Sequence, residues 1–119
     1  MADPERPTEP VVISLPTEID AANAPAVGQR LVSGFAPGVT TVIADLTWTV
    51  FCNSSGVKQL VLAHHCAAVH HAQLRLVVPH ARVLGVLKLT GIDRLLPVYP
   101  SLDAALSAGS VPGREASRE

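Results

Sequence analysis

Short β-branched, apolar runs alternate along this chain with longer stretches of helical period, and that alternation restricts the fold more than any other feature. Val11-Val-Ile-Ser-Leu15, stopped by Pro16, reads as a strand, as does Thr40-Thr-Val-Ile-Ala-Asp-Leu46, introduced by Pro37-Gly38. Leu74-Arg-Leu-Val-Val-Pro79 is a third buried strand. Between the first two, Asn23 can cap a helix in which Pro25 suits an early position and Val27 and Leu31 share a face, ending near Gly34. Asn53-Ser54-Ser55-Gly56 opens the longest helix, with Val57, Leu60, Val61, His64 and Ala68 at helical spacing. His80 to Leu89 forms another, closed by Gly91. Leu95-Leu-Pro-Val-Tyr99 is a short extended piece whose proline suits a sheet edge, and Ser101 caps a last helix over Leu102 to Ala108. Strand–helix alternation of this kind predicts an α/β fold, a mixed sheet with helices packed on it. At this size, helices on only one side are also allowed.

With 119 residues and 48% hydrophobic content the chain can bury one core, and only 3% aromatic residues means that Val, Leu, Ile and Ala must fill it. Residues 1–10 hold three prolines and three acids without apolar periodicity, so a mobile lead is expected there, a domain over 11–108, and a mobile tail over 109–119. The formal charge is −1 and the nine Lys and Arg are scattered, which gives no basic field for nucleic acid. No apolar run approaches the ~18 residues that cross a bilayer, and the polar, proline-rich start does not resemble a signal peptide. A cytoplasmic protein without a membrane partner is the expectation, in which Cys52 and Cys66 stay reduced thiols.

Chemistry-bearing residues gather in three places. Ser54 and Ser55 sit at a helix start, where unpaired backbone N–H groups and partial positive charge leave a hydroxyl exposed and tolerate a phosphate. Asn53, Ser54 and Ser55 also serve simply as helix caps, and Gly56 permits close approach of another chain. Glu18 and Asp20 follow the first strand, either as a solvated turn or as acids near the serines, whereas Asp45 terminates a strand. His64, His65, Cys66, His70 and His71 form the third group. Cys66 and His70, four apart, share a helical face, but zinc needs three or four ligands and no further pair completes the set, so a solvated helix face is expected and no metal. A hydrolase is the enzyme-class alternative. The Ser54 neighbourhood is not Gly-x-Ser-x-Gly, and phosphate-loop and dinucleotide glycine patterns are absent, so neither catalysis nor a cofactor is expected. Cys52 reads as a small buried hydrophobe rather than a redox handle.

Three segments in order resemble the STAS domain of bacterial anti-sigma factor antagonists: Glu18-Ile-Asp20-Ala-Ala-Asn23-Ala-Pro25-Ala, then Asp45-Leu-Thr47 leading to Phe51-Cys-Asn-Ser-Ser-Gly56-Val, then Leu89 through Leu106. That resemblance implies partner switching. Such antagonists bind an anti-sigma factor, often itself a serine kinase of the histidine-kinase ATPase fold, and so release a sigma factor for transcription, for instance in a stress response. Phosphorylation at the start of the central helix breaks the complex, and a PP2C-type phosphatase restores it. The family's Asp-Ser-Ser-Gly or Asp-Ser-Thr-Gly matches Asn53-Ser54-Ser55-Gly56, which implies Ser54 as phosphoacceptor, with Asn53, Ser55, Gly56, Glu18 and Asp20 as partner contacts. Two departures mark this chain. Asn53 stands where the family usually has an acid, which opens the alternative of a scaffold or decoy that binds its partner constitutively without phosphorylation. The ten proline-rich residues before Val11 leave little room for the family's first strand.

Overall fold

The computed structural model of the chain describes residues 9–108. In chain order these form β1 (Val11–Ser14), β2 (Glu18–Ile19), α1 (Ala24–Ser33), β3 (Thr41–Asp45), β4 (Phe51–Cys52), α2 (Ser54–Val69), β5 (Gln73–Val77), α3 (Ala81–Thr90), a 3-10 turn over Ile92–Arg94, β6 (Val98–Tyr99) and α4 (Leu102–Ser107). The expected mobile lead and tail, and the question of a strand before Val11, fall almost wholly outside the described residues.

Four strands pair in the order β1-β3-β5-β6, and β2 and β4 form a separate two-stranded sheet. Every ladder among the described residues is parallel, where the sequence predicts a mixed sheet. The reason lies in the connections. A parallel neighbour needs a crossover long enough to return the chain to the same end of the sheet, and α1, α2 and α3 each supply one. Parallel strands are covered on both faces and read as continuous apolar runs rather than alternating ones. β3 obeys this, being buried at all five positions.

One face of the sheet carries Val42, Ala44, Leu74 and Leu76 against Val27 and Leu31 of α1, Leu60, Ala63 and Ala67 of α2, and Val83 and Leu87 of α3. The opposite face carries Ile43 and Val77, on which α4 places Ala105, with Tyr99 and Leu102 at the margin. Arg75 of β5, only 2% exposed, lies in register with Ile43 and so belongs to this second face. Its Nε donates to Gln73 Oε1 at 2.8 Å and its Nη1 to the Ala105 carbonyl at 2.8 Å, which ties α4 to the sheet and satisfies a buried charge with oxygen acceptors.

The helix ends follow local chemistry. Gly91 stops α3 in the left-handed region at φ 81°, a conformation that costs glycine little. Ser101 Oγ accepts from Ala104 N at 3.1 Å to open α4. Asn23 departs from expectation, since its side chain makes no cap bond to α1. Instead its Nδ2 donates to the Glu18 carbonyl at 2.7 Å and its Oδ1 accepts from Asp20 N at 3.0 Å, which fastens β2 to the start of α1.

Candidate functional site

The site is built by the small β2–β4 sheet. Glu18 pairs with Phe51 and Ile19 with Cys52, and the ladder continues as Asn53 N donates to the Ile19 carbonyl at 3.2 Å. That bond holds Asn53 extended, at φ −99° and ψ −171°, and the chain turns into α2 at the next residue. Asn53 Oδ1 accepts from Ser55 N at 2.9 Å, so Asn53 is the cap that the sequence indicates. Ser54 is exposed on the first turn, and Asn53 and Ser55 are half-buried. α2 carries no acidic residue in that turn, so nothing within the helix offsets the partial positive charge of its N-terminus.

Gly56 is buried. A Cβ there would lie 2.6 Å from Cys52 Sγ and 2.7 Å from Ile19 Cγ2, so the close approach it permits is between α2 and this chain's own β2–β4 sheet. Glycine at this position joins the serine to the strands beneath it. Cys52 is 3% exposed, and burial pushes its thiol above the ordinary value, so it rests as a neutral packed side chain.

Glu18 is exposed on β2, and Asp20 is half-buried in the turn that follows, where its Oδ1 accepts from Ala22 N at 2.9 Å. Asp20 is thus a turn-forming residue in a turn that adjoins the segment leading to Ser54. Asp45 ends β3 as expected, accepting from Thr47 N at 3.0 Å and from the Thr47 hydroxyl. Beside this ladder lies a hollow of about 430 Å³ lined by Glu18, Val50, Phe51, His80 and Arg82. His80 Nδ1, buried at this end of α3, has no hydrogen-bond partner among the described residues.

The turn from β3 to β4 carries a feature that hydropathy does not foretell. Trp48 is 69% exposed while its neighbour Thr49 is fully buried. Thr49 Oγ1 donates to the Pro16 carbonyl at 2.7 Å and Val50 N to the Thr17 carbonyl at 2.8 Å, so the turn is stitched to the segment between β1 and β2. The available signal was the chain's one tryptophan within Thr47-Trp-Thr-Val-Phe51, an alternating pattern whose polar residue faces inward.

The histidine-rich end of α2 lies at the opposite end of that helix from Ser54. Cys66 Sγ lies 3.7 Å from His70 Nδ1, and the same nitrogen is 2.9 Å from the Cys66 carbonyl. His70 stacks on Phe35 with ring centroids 6.2 Å apart. Partial burial, and then His65, lower the pKa of His64. No group of three His, Cys, Asp or Glu able to hold a metal occurs among the described residues. No helix among them is long and apolar enough to cross a membrane.

A parallel sheet crossed by helices, with a capped and exposed serine where the central helix leaves a two-residue strand, defines a small α/β domain resembling anti-sigma factor antagonists. The family model of the STAS domain matches residues 2–105, and the chain belongs to that family. An anti-sigma factor antagonist from Mycobacterium paratuberculosis is 32% identical, with 82% of each chain covered and a TM-score of 0.67. A STAS domain protein from Planctomyces limnophilus shares the fold at 22% identity and a TM-score of 0.72, over 82% of this chain and 86% of that one. The antagonist SpoIIAA, in its unphosphorylated form, shares it at 22% identity and a TM-score of 0.68, over 82% and 84%. Comparison with curated protein sequences gives no significant match.

Proposed function

We propose that this protein is an anti-sigma factor antagonist of the cytoplasm, a binding protein without catalysis, which docks an anti-sigma factor through the β2–β4 sheet and the start of α2. Ser54 is the phosphoacceptor. The observation that carries this reading is the exposed Ser54 on the first turn of α2, where that helix leaves β4 and its partner strand β2, in a domain of this family. The solved relative described as unphosphorylated is in keeping with a phosphorylated counterpart of that protein. A phosphate on Ser54 meets the positive end of α2 and leaves the domain folded. It adds about −1.5 to −2 charges to the docking surface, and burying such a charge unpaired weakens binding on the order of a hundredfold. An anti-sigma kinase of the histidine-kinase ATPase fold adds the group, and a PP2C-type phosphatase removes it.

Asn53 favours a second reading. It caps α2 as an aspartate would, without the charge usual at this position, and a chain that binds constitutively has no need of that charge. The two readings separate in one experiment. The tagged protein and its Ser54→Ala and Ser54→Asp variants are used to capture partners from the native cytoplasm, followed by mass spectrometry of partners and phosphosites. An anti-sigma factor retained by Ser54→Ala and lost by Ser54→Asp, with phosphate on Ser54 of the natural chain, supports switching. Retention by all three without phosphate supports constitutive binding, and capture of no anti-sigma factor refutes both.

A further inference from the structure

The fixed charges of α2 are all of one sign. From Ser54 to Val69 the helix holds no Asp or Glu, and Lys58 is its one Lys or Arg. Lys58 is exposed, four residues on from the exposed Ser54, and makes no ion pair with any described residue. Residues four apart share a helix face with Cβ atoms about 5–6 Å apart, and helical side chains lean back toward the N-terminus, so a lysine at position 58 reaches over the turn that Ser54 begins. The unmodified chain gives that ammonium nothing to pair with. The helix end ahead of it carries partial positive charge, and neither the neutral cap, Asn53, nor the first turn supplies an acid. An anion on Ser54 reverses that balance, because an acid four residues ahead of a lysine is the favourable order for such a pair.

We infer that Lys58 receives the phosphate of Ser54, closing a phosphoserine–lysine pair along the exposed face of α2. The inference rests on Ser54 as the phosphoacceptor of the proposed function and adds what the modified serine does within this chain. Phosphate brings three acceptor oxygens and about −1.5 to −2 charges, and the lysine ammonium meets them with three donors on a flexible stem. Lys58 is a positioning residue. It draws the phosphate along the first two turns of α2 and favours the dianion over the monoanion, while the unpaired N–H groups of the first turn act in the same sense. Asn53 fits this arrangement, because a neutral cap keeps its bond to Ser55 N and adds no like charge beside the phosphate. An acid at that position would repel the group that Lys58 attracts. The phosphate is therefore held in place on the docking surface instead of swinging free of it.

The test installs phosphoserine at position 54 of the full chain by genetic code expansion, so that no kinase is needed, and follows its phosphorus resonance as pH is varied around the second ionisation at about pH 6. A helical ion pair of this spacing lowers that midpoint by about 0.3 of a pH unit. The modified chain carrying Lys58→Gln is therefore expected to titrate higher than the modified natural chain by about that amount, with circular dichroism confirming that both are folded. Lys58→Arg should restore most of the difference, because it returns a cation to the same face. Lys88→Gln removes an exposed cation from the last turn of α3 and is expected to leave the midpoint where it was. In about 1 M salt the effect of Lys58→Gln should shrink, as screening of an exposed pair requires. Equal midpoints for the natural sequence and Lys58→Gln overturn the inference and leave the proposed function standing. A rise matched by Lys88→Gln reports the overall charge of the chain, not a pair, and overturns it as well. Ser54 found without phosphate in the native cytoplasm removes the switching reading and the role of Lys58 with it, whatever the midpoints.

Discussion

Replacing Gly56 by alanine adds one methyl group at the point where α2 leaves the β2–β4 sheet. The new carbon would sit 2.6 Å from Cys52 Sγ and 2.7 Å from Ile19 Cγ2, well inside van der Waals contact, with Ile19 Cβ at 3.3 Å. Cys52 and Ile19 are 3% and 1% exposed, so neither can swing into solvent, and the Ile19 methyl is fixed on a β-branched carbon. Overpacking of this kind costs about 1–3 kcal/mol. Two simultaneous clashes put the cost near the upper end, and alanine recovers about 1 kcal/mol through helix propensity, leaving a net loss of about 2 kcal/mol. For a domain near 100 residues this lowers the melting temperature by about 10 °C. Thermal and urea denaturation followed by circular dichroism measure it directly. In the double variant with Cys52→Ala one of the clashing atoms is gone, and a double-mutant cycle should show about 1 kcal/mol of favourable coupling. A Gly56→Ala protein as stable as the natural chain, or more so, would refute the packing argument and with it the idea that glycine locks the serine-bearing helix to the sheet.

The remaining expectations concern the cap, the second face of the sheet and pH. Asn53→Ala leaves Ser55 N without its acceptor and costs about 1 kcal/mol, whereas Asn53→Asp keeps the cap within a few tenths; chemical denaturation of both variants checks the pair, and a kinase that acts on Ser54 should phosphorylate the aspartate variant faster. Arg75→Met strands the Ala105 carbonyl at the α4 contact, lowering stability by about 1–3 kcal/mol and speeding amide exchange over Leu102–Ser107, as read by hydrogen-exchange mass spectrometry. His64 has its pKa held below the ordinary 6.5 by burial and then by His65. The unfolded chain therefore takes up a proton more readily than the folded one as pH falls through about 6.5, so this contribution to stability is complete above that pH and is lost below it. His64→Gln should flatten that part of a melting-temperature profile measured from pH 7.5 to 5.

Short-range chemistry accounts for the elements that are legible in the order of the amino acids alone. β1, β3 and β5 are legible because short apolar runs, β-branched in the first two and leucine-rich in the third, are set off by proline and read as strands without the rest of the chain. The start of α2 is legible because an Asn-Ser-Ser-Gly cap is a contact between neighbours, here Asn53 Oδ1 to Ser55 N. Gly91 and Ser101 are legible for the same reason, one through its left-handed φ and the other through a side chain that reaches three residues on. What escapes such a reading depends on residues far apart in the chain. The two-residue strands β2 and β4 exist only because Glu18 and Ile19 meet Phe51 and Cys52, and two residues carry no periodicity. Parallel pairing of every ladder among the described residues follows from which helix crosses which strands. Gly56 has its reason in a sulfur and a methyl group from two different strands, and Arg75 is buried because α4 returns over it. The β3–β4 turn shows the limit most sharply. Hydropathy alone would bury Trp48 and expose Thr49, but hydrogen bonds across more than 30 residues hold the threonine inside and the tryptophan out, because a buried hydroxyl needs its acceptor and Pro16 supplies one.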